Sequence, residues 1–194
     1  MGQIRIIKEE LLSDNWYTLR KYTYEILKKD GSRVEQTREV YDRGNGAAIL
    51  LYNLEFQTVI LTRQFRLPSF VNGNRNGFLI EACAGLLDEE NPEDAIKRET
   101  EEETGYRIKE PKKVFEAYMS PGSVSEILYF FIAEYSQSMK VHEGGGVKQE
   151  EEDIEVLETG FEQAIAMMET GEIRDAKTII LLQYLKLQGI MRLR

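Results

Sequence analysis

The chain has 194 residues, enough for one α/β domain with a proper core plus a small appendage, and too few for two full-sized domains. Hydrophobic residues make up 42% and charged residues 30%, no run reaches the roughly 18 apolar residues of a membrane span, and the N-terminus lacks a secretory signal's apolar core, so a cytoplasmic protein without membrane attachment is expected. A net charge of −9 argues against a sequence-independent nucleic-acid binder but suits a small phosphate-bearing ligand held through a divalent ion and a few local Arg or Lys side chains.

Residues 1–40 read as a polar, β-rich appendage. Strand formers run from Trp16 to Leu27, Lys29-Asp30-Gly31 supplies a turn, and a second run extends from Arg33 to Tyr41, predicting a hairpin or small sheet. So much aromatic surface on a thin sheet needs a covering partner, either the rest of the chain or a second subunit. From Gly46 strands are predicted at Ala47–Tyr52, Thr58–Arg66, Phe78–Ala84, Val114–Met119, Ile127–Tyr135 and Ile154–Leu157. Helices are signalled over 92–104, 161–169 and about 176–187, with Phe161, Ala164, Ile165 and Met168 at the spacing of a core-facing stripe. An α/β (α+β) fold follows, a mixed sheet sandwiched between helices with the β-rich appendage at 1–42 and the main domain at 43–194. Cys83, the only cysteine, sits between Ala82 and Ala84 and reads as a small buried hydrophobe in a reducing compartment; His142, the only histidine, reads as exposed and incidental.

The helix at 92–104 has clear ends: Asn91 as N-cap, Pro92 in the first turn, Glu93 and Asp94 at the positive end of the dipole, and Gly105 beyond the last turn. At 100° per residue Glu99, Glu102 and Glu103 share one face, while Glu101 points away. Such a face costs stability, the more so at the negative end of a helix, unless a cation converts repulsion into coordination. A merely solvated acidic face is the alternative reading of this segment viewed alone. Upstream, Gly85 lets the backbone approach a ligand closely, and a carbonyl there could complete the coordination.

Gly85 through Arg98-Glu99-Thr100-Glu101-Glu102-Glu103-Thr104-Gly105-Tyr106 resembles the Nudix box, G-x5-E-x7-R-E-U-x-E-E-x-G-U. The stretch before Arg98 is one residue short, so the first Glu of that pattern maps to Glu90 or falls on Asn91, and Thr100 stands where an aliphatic is usual. Further stretches, namely Ser13 to Trp16, Arg38 to Gly46, Arg63 to Arg66, Glu81 to Asp88, Ser120-Pro121-Gly122 and Gly171 to Asp175, resemble the GDP-mannose pyrophosphatase branch, close to the ADP-ribose pyrophosphatases. The resemblance implies the Nudix fold and two or three Mg²⁺ ions, for which Mn²⁺ can substitute. It implies metal ligands at the Ala84 carbonyl, Glu99, Glu103 and Glu152, with Glu102 nearby and Arg98 holding the carboxylates in register. Glu152 is the expected general base and Glu151 the next choice, on a loop for which Gly144 to Gly146 would supply hinge freedom. Arg38, Arg66 and Lys177 would contact phosphates and sugar, Glu39 and Glu126 the sugar or base, Gly85 and Leu86 the substrate through the turn, and Trp16 the nucleobase. The implied reaction is hydrolysis of a nucleoside diphosphate sugar, GDP-mannose giving GMP and mannose 1-phosphate, in a homodimer formed through the N-terminal subdomain. ADP-ribose as substrate, or a non-catalytic nucleotide-sugar sensor, are the alternatives.

Overall fold

The computed structural model describes residues 4–87, 90–147 and 152–193. The chain forms two compact units, one from Met1–Asn45 with Tyr118–Ile127, the other from Gly46–Ala117 with Leu128–Arg194.

The first unit is an antiparallel sheet of β1 (Ile4–Asp14), β2 (Thr18–Leu27) and β3 (Arg33–Asp42), with β2 central. The β2–β3 hairpin turns at Gly31, whose φ of 83° suits glycine, and Asp30 closes it by accepting from Ser32 N–H and Oγ–H. Of the hairpin or small sheet expected, the small sheet is found: Ile4–Asp14 adds a third strand with irregular register around Ile7 and Leu12. Trp16 lies in the bend between β1 and β2 rather than in a strand. The segment Tyr118–Ile127 joins this unit, with Tyr41 and Val124 bridged and Tyr41 N–H donating to the Ser123 carbonyl.

The second unit holds a seven-stranded mixed sheet. Its main path runs from β10 (Glu155–Gly160) through β5 (Thr58–Phe65), β4 (Gly46–Asn53) and β9 (Ile127–Glu134) to β8 (Lys112–Tyr118), with β4 and β9 parallel. β4 is buried along almost its whole length, as its unbroken apolar run demands. Ala47, Ile49 and Leu51 pack with Ala95 and Ile96 of α2 (Pro92–Thr104), while Ala48 and Leu50 point to the opposite face, where α4 (Ala176–Leu187) packs on β4. α3 (Phe161–Thr170) continues directly from β10 and buries Phe161, Ala164 and Ile165, the expected stripe, but Met168 is only half-buried. A short helix, α1 (Leu67–Val71), was not signalled; Pro68 opens it and it buries no residue.

The one predicted strand at Phe78–Ala84 is two. β6 (Phe78–Glu81) pairs with β5 and β7 (Cys83–Leu86) pairs with β4, the switch falling at Ala82. There the Ala82 N–H donates to Thr178 Oγ1 at the start of α4 instead of to a neighbouring strand. This change of partner turns Glu81 and the Ala84-Gly85 pair toward different neighbours while keeping them close in sequence.

Candidate active site

α2 begins and ends where its sequence says. Asn91 accepts from the N–H groups of Glu93 and Asp94, and Gly105 takes the left-handed conformation at φ 79°. Thr100 replaces the usual aliphatic without leaving a hydroxyl unsatisfied, since it is fully buried and donates back to the Ile96 carbonyl at 2.5 Å. Glu101, expected to point away, forms a two-pronged pair with Arg107 at 2.7 Å.

The three carboxylates predicted to share a face of α2 divide. Glu103 is buried between helix and sheet, and its Oε2 has no hydrogen-bond partner among the described residues. Glu99 is half-buried and lies closely over Gly85, where a Cβ would meet its carboxylate and make that side chain shift. Glu102 is held by Arg98 at 2.9 Å, the expected i,i+4 pair; Arg98 also reaches Glu99 at 3.0 Å and Glu90 at 3.3 Å. Glu90 thus takes a place in this network that the alignment of the box left open.

Burial pushes the Glu103 carboxyl up to about 8, helped by the negative charges of Glu99 and Glu152 and opposed by the Cys83 thiol and Arg66. Burial likewise pushes Glu99 up to about 7, with Arg98 opposing and Glu102 and Glu152 adding to the rise. Cys83 is buried as expected, and its thiol is pushed up by burial and by Glu103. A buried carboxylate oxygen without a donor is costly, and a divalent cation is the partner that would relieve it. The donor set is all oxygen, which suits a hard ion. Among the described residues no three His, Cys, Asp or Glu side chains converge as a ready cation cage, and Ala84 lies in β7 opposite Ala48.

Gly144, Gly145 and Gly146 correct one expectation. They do not form a free hinge: the Gly145 N–H donates to the Glu103 carbonyl at 2.8 Å and the Gly146 N–H to the Glu102 carbonyl at 3.1 Å, capping the end of α2. All three have positive φ, and a Cβ at Gly144 would strike the Glu103 carbonyl, so glycine is required for docking. His142 is exposed, and its Nδ1 accepts from the Gly144 N–H at 3.0 Å. This docking brings Glu152 within electrostatic reach of Glu99 and Glu103; its Oε2 accepts from the Val147 N–H at 2.9 Å. Glu151, with Glu150, lies outside the described residues.

Arg66 and Lys177 are brought together by a residue to which sequence reasoning gave no role. Glu81 is 3% exposed and accepts from Arg66 Nε at 2.7 Å and from Lys177 Nζ at 2.6 Å. Lys177 also donates to Asp175, the N-cap of α4, at 2.8 Å. A charged residue inside the apolar run from Phe78 to Ala84 was the available signal, because a buried charge requires partners. Gly85 and Leu86 lie half-buried in β7. In the first unit, Arg38 lines a groove of about 490 Å³ with Tyr22, Tyr24 and Arg20; Glu39 is exposed, Glu126 pairs with Arg43 at 3.5 Å, and Trp16 stands 86% exposed.

A capped helix presenting carboxylates beside a glycine turn, on a mixed sheet between helices, defines the class. The family model described as NUDIX domain matches residues 42–182, and that described as GDP-mannose pyrophosphatase NudK N-terminal domain matches residues 3–41. The chain belongs to the Nudix family and is a Nudix hydrolase. It is similar to proteins named GDP-mannose pyrophosphatase from Escherichia coli O1:K1 / APEC and from Enterobacter sp. (strain 638), each 57% identical over 189 residues, covering 97% of this chain and 98% of that protein. Nudix hydrolases in general use divalent metal ions, and no helix among the described residues is long and apolar enough to cross a membrane.

Proposed function

We propose that this chain is a cytoplasmic, Mg²⁺-dependent pyrophosphatase that cleaves GDP-mannose to GMP and mannose 1-phosphate. The observation that carries the reaction class is the buried, unpartnered oxygen of Glu103 beside Glu99 over Gly85. The near full-length similarity to proteins named GDP-mannose pyrophosphatase, appendage included, supports the substrate. The buried free Cys83 agrees with a reducing compartment.

Glu99 and Glu103, with the Ala84 carbonyl and Glu152, would hold two or three Mg²⁺ ions, and Mn²⁺ could take their place. Bound metal would neutralise charge on the diphosphate and acidify the attacking water. Arg98 keeps Glu99 and Glu102 in register by pairing with both. Glu152 accepts the proton of the attacking water; its carboxylate is oriented by the Val147 N–H and it carries charge toward the same region as Glu99 and Glu103. Arg66 and Lys177 contact the diphosphate, Gly85 and Leu86 shape the turn beneath it, and Arg38, Glu39, Glu126 and Trp16 recognise sugar and base, with Glu151 alongside Glu152. Residues 1–42 act as a subdomain through which two copies pair as a homodimer; the exposed apolar side chains of this region, including Ile4, Ile6, Leu11 and Leu12, support that role.

The deciding experiment is a nucleotide-sugar panel with Mg²⁺ present, read as release of phosphate-monoester products. GDP-mannose turning over fastest supports the reading, a preference for ADP-ribose replaces the substrate, and binding without turnover makes the chain a sensor.

A further inference from the structure

We propose that Glu81 is a positioning residue for substrate binding: its single buried carboxylate locks the Arg66 guanidinium and the Lys177 ammonium side by side as one two-cation clamp for the diphosphate. The inference rests on the assignment of Arg66 and Lys177 to the diphosphate in the proposed function.

Each oxygen of Glu81 takes one cation, Oε2 the Arg66 Nε at 2.7 Å and Oε1 the Lys177 Nζ at 2.6 Å. Two oxygens of one carboxylate are adjacent atoms, so the cations they hold are neighbours as well. Arg66 and Lys177 lie 111 positions apart in sequence, and without a shared anion their like charges would drive them apart. Arg66 approaches Glu81 through Nε alone. Its terminal nitrogens make no hydrogen bond among the described residues, and 39% of its side chain is exposed, which leaves the forked end of the guanidinium to face a ligand. Lys177 spends donors on Glu81 and Asp175, keeping one for a further acceptor.

The anchor itself is rigid. Glu81 sits at the end of β6 opposite Thr62, whose hydroxyl donates to the Glu81 carbonyl at 3.3 Å. Asp175 caps α4 by accepting from Thr178 N–H and Oγ–H, and Thr178 Oγ1 in turn accepts the Ala82 N–H. The clamp is therefore tied to the point where the strand segment changes partner and to the first turn of α4. Burial alone would raise the Glu81 carboxyl, yet Lys177 and then Arg66 outweigh it and hold the group below its ordinary range, so the carboxylate is charged at neutral pH. The local charge sums to zero, two acids against two bases, which lets the protein keep both cations half-buried before substrate arrives.

The test is a kinetic cycle on the full chain with GDP-mannose at saturating Mg²⁺. Glu81→Gln should raise KM at least about 10-fold while kcat stays within about 3-fold of wild type, because the amide carries no charge and puts an NH2 donor where one of the two cations now finds an acceptor oxygen, so that cation swings away. Arg66→Ala and Lys177→Met should each raise KM, and adding Glu81→Gln to the Arg66→Ala/Lys177→Met double variant should change KM less than about 2-fold, since nothing remains to be positioned. A residue with only a structural role would lower the melting temperature and leave KM unchanged, or act equally in every background; either outcome overturns the proposal. If Arg66→Ala and Lys177→Met leave KM at the wild-type value, the diphosphate assignment fails and the positioning role falls with it. If those two raise KM while Glu81→Gln does not, the positioning role alone fails. Should Glu81→Gln not fold, Glu81→Asp keeps the charge but draws it back by one methylene, and a wild-type KM in that variant likewise overturns the proposal.

Discussion

The two sheets of this molecule bury their residues in opposite ways. In β4 almost every residue is buried, whereas none of the described residues of β1, β2 and β3 is. Among the described residues all the fully buried apolar side chains belong to the second unit, and the first leaves Ile4, Ile6, Ile7, Leu11 and Leu12 exposed. A three-stranded sheet with no core of its own is held by its ladder and cross-strand pairs, such as Tyr24 donating to Gln36 at 2.8 Å, and gains little from burial. The contrast separates a unit whose side chains are fixed by close packing from one whose apolar side chains remain exposed.

The sharpest way to break the comparison is to remove a charge from the rigid unit. Glu103→Gln should cost about 1000-fold or more in kcat, the several kcal/mol that metal-borne charge stabilisation supplies, while circular dichroism shows an intact fold. Activity in excess EDTA equal to that in Mg²⁺ would refute the metal reading outright. Glu152→Gln should lower kcat at least about 100-fold with little change in KM, and Glu150→Gln should be nearly silent. Retention of more than about half the wild-type kcat would move the base elsewhere.

On the other side of the comparison, a charge placed on the exposed sheet, as in Ile6→Glu, should leave the second unit folded yet yield monomers with about 10-fold or lower activity. Light scattering that finds the wild-type chain monomeric at micromolar concentration would rule out pairing through this region. Gly144→Ala tests docking against hinge freedom: its φ of 74° and the Glu103 carbonyl beside it make a methyl group strain the contact, and kcat should fall roughly 10-fold as Glu152 is displaced. If the loop needed only flexibility, the loss would be slight.

The smallest expected effect is on stability. In the metal-free protein Glu99 keeps its proton to about pH 7 and Glu103 to about pH 8, against 4.5 ordinarily. The folded state then binds more protons than the unfolded one across that interval, so stability is fully present below about pH 4.5 and falls as pH rises toward 8. Melting temperatures in EDTA should decline by several degrees over this range, and both Mg²⁺ and Glu103→Gln should flatten the slope. A metal-free protein that grows more stable from pH 5 to 8 would contradict the burial of these carboxyls.

Local chemistry made α2 fully legible in the sequence. Asn91, Pro92 and Gly105 mark its ends through capping and backbone preference, and the 100° step puts the glutamates on one side without reference to the rest of the chain. A close approach at Gly85 was legible too, although the group that makes it, the Glu99 carboxylate, was not. What only tertiary structure decided were the features that depend on a partner distant in sequence. The run Phe78 to Leu86 is apolar except for Glu81, and nothing in it reveals that its two halves follow different strands; Thr178, far along the chain, marks the break by taking the Ala82 N–H. Three glycines in a row look like freedom, and they become a dock because carbonyls of α2 wait for their N–H groups. Glu81 became important for the same reason. Periodicity reports which side a residue faces, while the worth of a buried charge is set by the cations that folding brings to it.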